Sequence, residues 1–243
     1  MNILCSTFFS ISLIVTGFSV QAQPGAPGYV DNALNYNRLI REKTGEGIYK
    51  LIGPYKVIGT SYLFGEKVKG NLFTQEAKAY NISLSYNTYN QEVEFYSTSN
   101  PDQPLIKEPG TADSFSLSIE SDPGSKEELK FIYGAVLGSS DKAYYKQIYA
   151  GKRFGIYKRY RSELGYVSSN YVQSELRQFD LLYDYYYTDN EKKEKGTKKL
   201  KANVSNIIKE FKDIKDVSTV LTNDSFNANQ ETALRKAFEY LNE

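Results

Sequence analysis

The chain has 243 residues, with 30 Lys and Arg against 29 Asp and Glu for a formal net charge of +1, and it contains no His, no Trp, one Cys and one Met. Balanced charge removes the electrostatic reason to expect nucleic acid or an anionic membrane as partner. The Cys and the Met are Cys5 and Met1, so residues 23–243 offer no imidazole or thiolate for a Ser-His-Asp triad, a cysteine nucleophile, a disulfide or a zinc site; the expectation is no metal, no other cofactor and no enzymatic activity.

Residues 1–22 carry no charged side chain, hold an apolar run from Phe8 to Val15 broken only by serine, and end Val20-Gln21-Ala22, the small-residue pattern of a signal-peptide cleavage site. The run is shorter than the roughly 20 apolar residues that span a bilayer. Cys5 precedes it, which argues against a lipid-modified cysteine. The expectation is export to the periplasm, the outer-membrane surface or the exterior, with no transmembrane segment once 1–22 is removed.

Gln23 to Gly28 reads as an extended leader, rich in Pro and Gly. A short helix is predicted next, capped by Asp31, with Leu34, Leu39 and Ile40 near one face and Thr44-Gly45-Glu46-Gly47 as its stop. Ile48 to Leu51 and Tyr55 to Phe64 read as strands split by Gly53-Pro54, and Phe64-Gly65-Glu66 as a turn into a three-strand antiparallel meander. Its strands carry Val68, Leu72 and Phe73; then Ile82, Leu84 and Tyr86 alternating with Ser83 and Ser85; then Val93 and Phe95 alternating with Glu92 and Glu94. Period-two patterning places the apolar set on one face and the polar set on the other, and Asn87 to Gln91 supplies the hairpin loop.

Pro101, Pro104 and Pro109 restrict the following stretch to loop or edge strand. Phe115, Leu117 and Ile119 alternate with Ser114, Ser116 and Ser118, and Asp122-Pro123-Gly124-Ser125 makes a turn. Strands are expected over Leu129–Leu137, Tyr144–Ala150 and Phe154–Arg161, and then over Leu176–Thr188, where Phe179, Leu181, Tyr183, Tyr185 and Tyr187 share one side and Asp180, Leu182, Asp184 and Tyr186 the other. Lys198 to Lys201 is a return strand. Beyond it the period changes to about 3.6: Val204, Ile207, Ile208 and Phe211, with Asn203 as cap, outline one helix, Ile214, Val217 and Leu221 a second, and Ala233, Leu234, Ala237, Phe238 and Leu241 a third.

The fold class is therefore mainly β, α+β: an antiparallel sheet forming a sandwich, roll or open barrel with a small C-terminal helical appendage. The expected division is a signal peptide over 1–22, a β-rich domain with a short N-terminal helix over 23–201, and the appendage over 202–243.

The stretch GTSYLFGEKVKGNLFTQEAKAYNISLSYNTYNQEVEF, the strand LLYDYYY, the Lys-rich turn after it and the tail ending AFEYLN together resemble a family of uncharacterised exported proteins of Bacteroidota. The resemblance implies export and this architecture, and it brings no activity or site residue with it.

Of the 22 tyrosines, Tyr183, Tyr185 and Tyr187 are the candidate contact platform for a sugar ring or a peptide, with Asp184 as polar partner, because Tyr offers area at low entropic cost. The competing explanation is ordinary sheet packing, which uses Tyr freely. Asp180, Asp184 and Asp189 are the carboxylates a glycosidase or a calcium site would draw on. Lys192, Lys193, Lys195, Lys198, Lys199 and Lys201 read as a solvated hairpin tip, and Lys152, Arg153, Lys158, Arg159 and Arg161 as a strand face. The function expected is a cell-envelope binding or interaction protein whose partner is a glycan or an envelope protein; the alternatives are an assembly protein docking on another envelope protein and a carboxylate-dependent glycosidase.

Overall fold

The computed structural model describes residues 35–45, 47–101, 103–107, 110–122, 124–167, 176–192 and 196–243. The expected leader peptide, its cleavage site and the Asp31 cap lie outside them. The strands in chain order are β1 (Asn35–Lys43), β2 (Tyr49–Ile58), β3 (Tyr62–Phe73), β4 (Lys78–Asn87), β5 (Glu92–Tyr96), β6 (Pro104–Lys107), β7 (Ser114–Asp122), β8 (Ser125–Tyr133), β9 (Tyr144–Ala150), β10 (Phe154–Tyr166), β11 (Leu176–Asp189) and β12 (Lys198–Leu200). Three helices close the described chain, α1 (Val204–Phe211), α2 (Asn223–Ala228) and α3 (Gln230–Leu241).

All twelve strands form one mixed sheet in the order β1-β2-β11-β10-β9-β8-β7-β3-β4-β5-β6, with β12 as a side branch on β11. The β2–β11 pair is parallel and the other pairs are antiparallel. Among the described residues no strand pair joins β1 to β6, so the sheet is open and not a closed barrel. Its curvature is nevertheless strong. Ser162 on β10 and Thr88 beyond β4 belong to strands five spacings apart, about 24 Å in a flat sheet, yet their hydroxyls lie 2.6 Å from each other.

The meander forms as its period-two pattern predicts: Leu84, Tyr86 and Val93 are wholly buried and meet the β7–β9 side of the sheet across the curl. Phe115 stacks on Phe131 at 4.7 Å, and Tyr86 packs against Phe115, Phe131 and Tyr144 at 5.2, 5.5 and 5.9 Å. The proline-restricted stretch contributes only β6, the terminal strand, where a missing N–H costs no ladder bond.

At the other end the helices cover the sheet. Ile148, Phe154, Ile156, Tyr185, Tyr187 and Leu200 from the strands share one core with Ile207, Phe211, Leu234 and Phe238 from α1 and α3. The caps are local and legible: the Asn203 carbonyl accepts from Asn206 N at 2.8 Å, and the Asn229 carbonyl from Thr232 N at 2.9 Å. Asn242, just past α3, bonds both Arg153 N and Phe154 N, at 2.9 and 3.0 Å, and fastens the helix to the start of β10.

Five local expectations are corrected. The short N-terminal helix is the strand β1: Ile40 points inward onto Val57 and Phe179 while Leu39 points out, and pairing with β2 overrides a weak helical pattern. Gly53-Pro54 does not split a strand, since β2 runs through it. Phe64-Gly65-Glu66 is a bulge within β3 and not a turn; Phe64, Gly65 and Lys67 take φ of 62°, 88° and 58°, and the register jumps between Leu63 and Val68. The second helix expected around Ile214–Leu221 is only a 3-10 turn at Val217–Thr219, and the regular helix follows at α2, where Thr222 and Ser225 form a reciprocal cap. Likewise β8 stops at Tyr133 and Gly134–Leu137 winds into a 3-10 turn. Among the described residues no helix is long and apolar enough to cross a membrane.

Candidate functional site

The expected contact residues are dispersed by the tertiary packing. Tyr183, Tyr185 and Tyr187 do share one side of β11, but α1 and α3 lie over Tyr185 and Tyr187, which are core residues. Tyr185 donates to Gln230 at 3.3 Å and Tyr187 to Glu210. Tyr183 alone stays open, 47% exposed, with the Lys158 ammonium 3.9 Å from its ring centre. Asp184 faces the opposite side, where Arg161 and Lys199 hold it at 2.9 and 2.8 Å; burial works against its ionisation, but those two cations keep its carboxyl below the usual range.

Asp180, Asp184 and Asp189 do not form a reacting pair. They stand four and five residues apart along one strand, about 13 and 17 Å at 3.3 Å per residue, beyond the roughly 5 to 9.5 Å that glycosidase carboxylates require. The basic strand face is neutralised within the chain: Arg159 by Asp141 at 2.8 Å, and Lys158 together with Lys146 by Glu231 of α3 at 2.9 and 2.7 Å. Among the described residues no group of three or more His, Cys, Asp or Glu gathers around a common point.

A different site emerges on β5. Its alternation turns Val93 and Phe95 toward the aromatic core and Glu92 and Glu94 away from it. That polar face is covered, and Glu92 and Glu94 are 0% and 3% exposed. The cover is the β1–β2 hairpin. Asn90, in the β4–β5 turn, accepts from Lys43 N at 3.2 Å and donates to Arg41 O at 2.9 Å, taking the place of a strand partner on the free edge of β1. Tyr89 donates to Glu42 at 3.0 Å; burial and that carboxylate push the Tyr89 phenol up to about 12.

The two glutamates have different surroundings. Glu92 accepts from Arg41 at 2.7 Å and from Tyr49, with the Lys43 ammonium at 3.7 Å. Arg41 also lies over the Tyr49 ring at 4.3 Å. Glu94 accepts from the Tyr62 hydroxyl at 2.9 and 3.1 Å, and among the described residues no Lys or Arg nitrogen comes within ion-pair distance of it. Burial raises its carboxyl above the ordinary range, opposed by Tyr62 and by the more distant Arg41 charge.

Glu94 opens on a cleft of about 160 Å³. Tyr89 and Phe179, edge to face at 5.5 Å, form an aromatic wall, Leu39 and Ile40 an apolar one, and Ser61, Tyr62 and Asn87 complete the polar side with Arg41. Chemically this is a candidate recognition site: hydrogen-bonding groups of both kinds and two opposite charges line a cleft whose open surface is mostly polar. The sequence held one signal of it, acidic residues alternating on a five-residue strand. What covered them came from β1, about 50 positions earlier.

The chain contains one cysteine, Cys5. The exclusion of thiol chemistry counted residues 23–243 alone and does not hold for the chain, so the non-enzymatic reading drawn from it is withdrawn; Cys5 lies outside the described residues. Comparison with family models, with curated proteins and with solved structures finds no match to the chain.

Proposed function

We propose that this chain is an exported cell-envelope protein that binds a small polar ligand in the cleft between the β1–β2 hairpin and the β4–β5 turn. The observation that carries the reading is Glu94, a carboxyl buried to 3% exposure, lining a cleft and held by a phenol in place of a cation. Such a group is costly to bury, and setting it in the lining of a cleft is the layout of a binding pocket. Export rests on the leader pattern of residues 1–22 and agrees with the resemblance to exported Bacteroidota proteins.

Thermal unfolding against a panel of glycans, amino acids, peptides, lipids and calcium tests the binding. A ligand at a hundred times its dissociation constant adds about 2.7 kcal/mol, worth roughly 5–10 °C in a chain of this size. A shift abolished by Glu94→Gln supports the cleft; shifts indifferent to that change place binding elsewhere. For export, expression with the native leader should yield a chain starting at Gln23, and an intact mass that includes Met1 would remove the envelope from the proposal.

A second reading, assembly on another envelope protein, draws support from β6. It is the terminal strand of the sheet and bears Leu105 and Ile106, 50% and 37% exposed, an edge of the kind that pairs with other chains. Cross-linking through residue 105 that traps an envelope partner, with no ligand shift at Glu94, would favour it.

A further inference from the structure

We propose that the ligand of the Glu94 cleft is a small zwitterion, the chemistry of a free α-amino acid, its ammonium toward Glu94 and its carboxylate toward Arg41. The proposal rests on the reading of the cleft as a ligand site and names the ligand class.

Two groups of opposite charge line this one cleft, each with capacity left over. Among the described residues Arg41 donates from its guanidinium only to Glu92, through a single nitrogen at 2.7 Å, whereas a guanidinium carries five N–H donors. Glu94 accepts from the Tyr62 phenol and meets the Asn87 side-chain amide, whereas a carboxylate has about four acceptor positions. The cluster is also balanced. Arg41 and Lys43 face Glu92 and Glu94, two charges of each sign, with Lys43 3.7 Å from Glu92. A lone ammonium or a lone carboxylate entering it leaves a net charge in a poorly solvated place, which is expensive. A neutral sugar leaves Glu94 without an ion-pair partner. A zwitterion preserves the balance and gives Arg41 and Glu94 one partner each.

Ile40, Tyr89 and Phe179 back the space, and Leu39, 53% exposed, stands at its rim. The volume, about 160 Å³, is close to the roughly 150 Å³ that houses a benzene-sized molecule, the scale of a small ligand.

Isothermal titration of the full chain with leucine, 3-methylbutylamine, 4-methylpentanoate and glucose tests this. The two analogues each keep the side group and lose one charge. Leucine is expected to bind at least tenfold more tightly than either analogue, which is 1.4 kcal/mol. Glu94→Gln should weaken leucine and the amine at least tenfold and leave the acid unchanged. Leu39→Glu is the second variant, on an exposed side chain where folding is safe; it sets a carboxylate beside Arg41 in competition with that of leucine and should weaken leucine equally. An analogue that binds as tightly as leucine, or leucine binding that survives both variants, overturns the zwitterion. Glucose binding that Glu94→Gln abolishes also overturns it while leaving the cleft a ligand site. No binding by any of the four probes, together with no Glu94-dependent shift in the wider panel, overturns both this proposal and the reading beneath it.

Discussion

Glu94 is a buried carboxylate and Glu231 a half-buried one, and their surroundings send them in opposite directions. Burial raises Glu94 against the opposing pull of the Tyr62 phenol, the distant Arg41 guanidinium and the Asn87 amide. A group whose folded pKa exceeds its unfolded value contributes stability that is complete below the unfolded value, 4.5 here, and is lost as pH rises through the folded one. Glu94→Gln keeps the shape and removes the titration. Urea midpoints taken from pH 4 to 8 should therefore fall less steeply with pH in the variant, which gains on the order of 1 kcal/mol over the parent at neutral pH; parallel curves would show that Glu94 is not raised. For Glu231 burial also acts upward, but Lys146 and Lys158 outweigh it and hold the carboxyl low. Its contribution is present above the unfolded value and is lost as pH falls through the folded one. Glu231→Gln strands two half-buried ammonium groups, a loss of about 2 kcal/mol at pH 7, between the ~1 of exposed pairs and the ~3–5 of buried ones. Denaturant unfolding at pH 7 and at pH 3 reads it, with the difference shrinking at the lower pH.

Among the elements, α3 and β3 depend most on single positions. α3 is amphipathic, and its Ala233, Leu234, Ala237, Phe238 and Leu241 are all buried on the sheet. Phe238 touches Phe211 at 5.3 Å and Tyr187 at 6.3 Å, so Phe238→Ala should cost about 3–5 kcal/mol, read as a lowered urea midpoint. On β3, a Cβ at Gly70 would stand 2.0 Å from Ser116 O of β7. Backbone cannot move aside as a side chain can, so Gly70→Ala should disturb the β3–β7 ladder and cost roughly 3 kcal/mol, seen as faster amide exchange on both strands. That glycine reads in sequence as an ordinary strand interior; the close approach that requires it belongs to the partner strand.

For the whole molecule, the helical tail and the sheet are joined through one core. Ile148, Phe154, Ile156, Tyr185, Tyr187 and Leu200 carry the helices, and two of the strands involved also reach the aromatic cluster of Tyr86, Phe115 and Phe131, β9 through Tyr144 and β10 through Tyr160. The two parts should therefore unfold together. Far-ultraviolet dichroism and tyrosine fluorescence are expected to give coincident urea transitions, and deletion of residues 202–243 should leave the sheet unable to fold cooperatively, because it bares that apolar surface.

Much of this architecture was written in local pattern. Alternation at Ile82, Leu84 and Tyr86, the turn at Asn87–Gln91, the prolines that confine β6 to an edge and the 3.6-residue period after Asn203 each act over a few residues, where side-chain direction is set by backbone geometry alone. Position in space was not. The same alternation that put Tyr183, Tyr185 and Tyr187 on one side of β11 cannot say that two helices cover two of them, and the alternation that turned Glu92 and Glu94 outward cannot say that β1 returns across them. An isolated strand shows both faces to water. Which face is buried, and whether a carboxylate there is solvated, paired or left against a phenol, depends on elements tens of residues away, and therefore on the curl of the whole sheet.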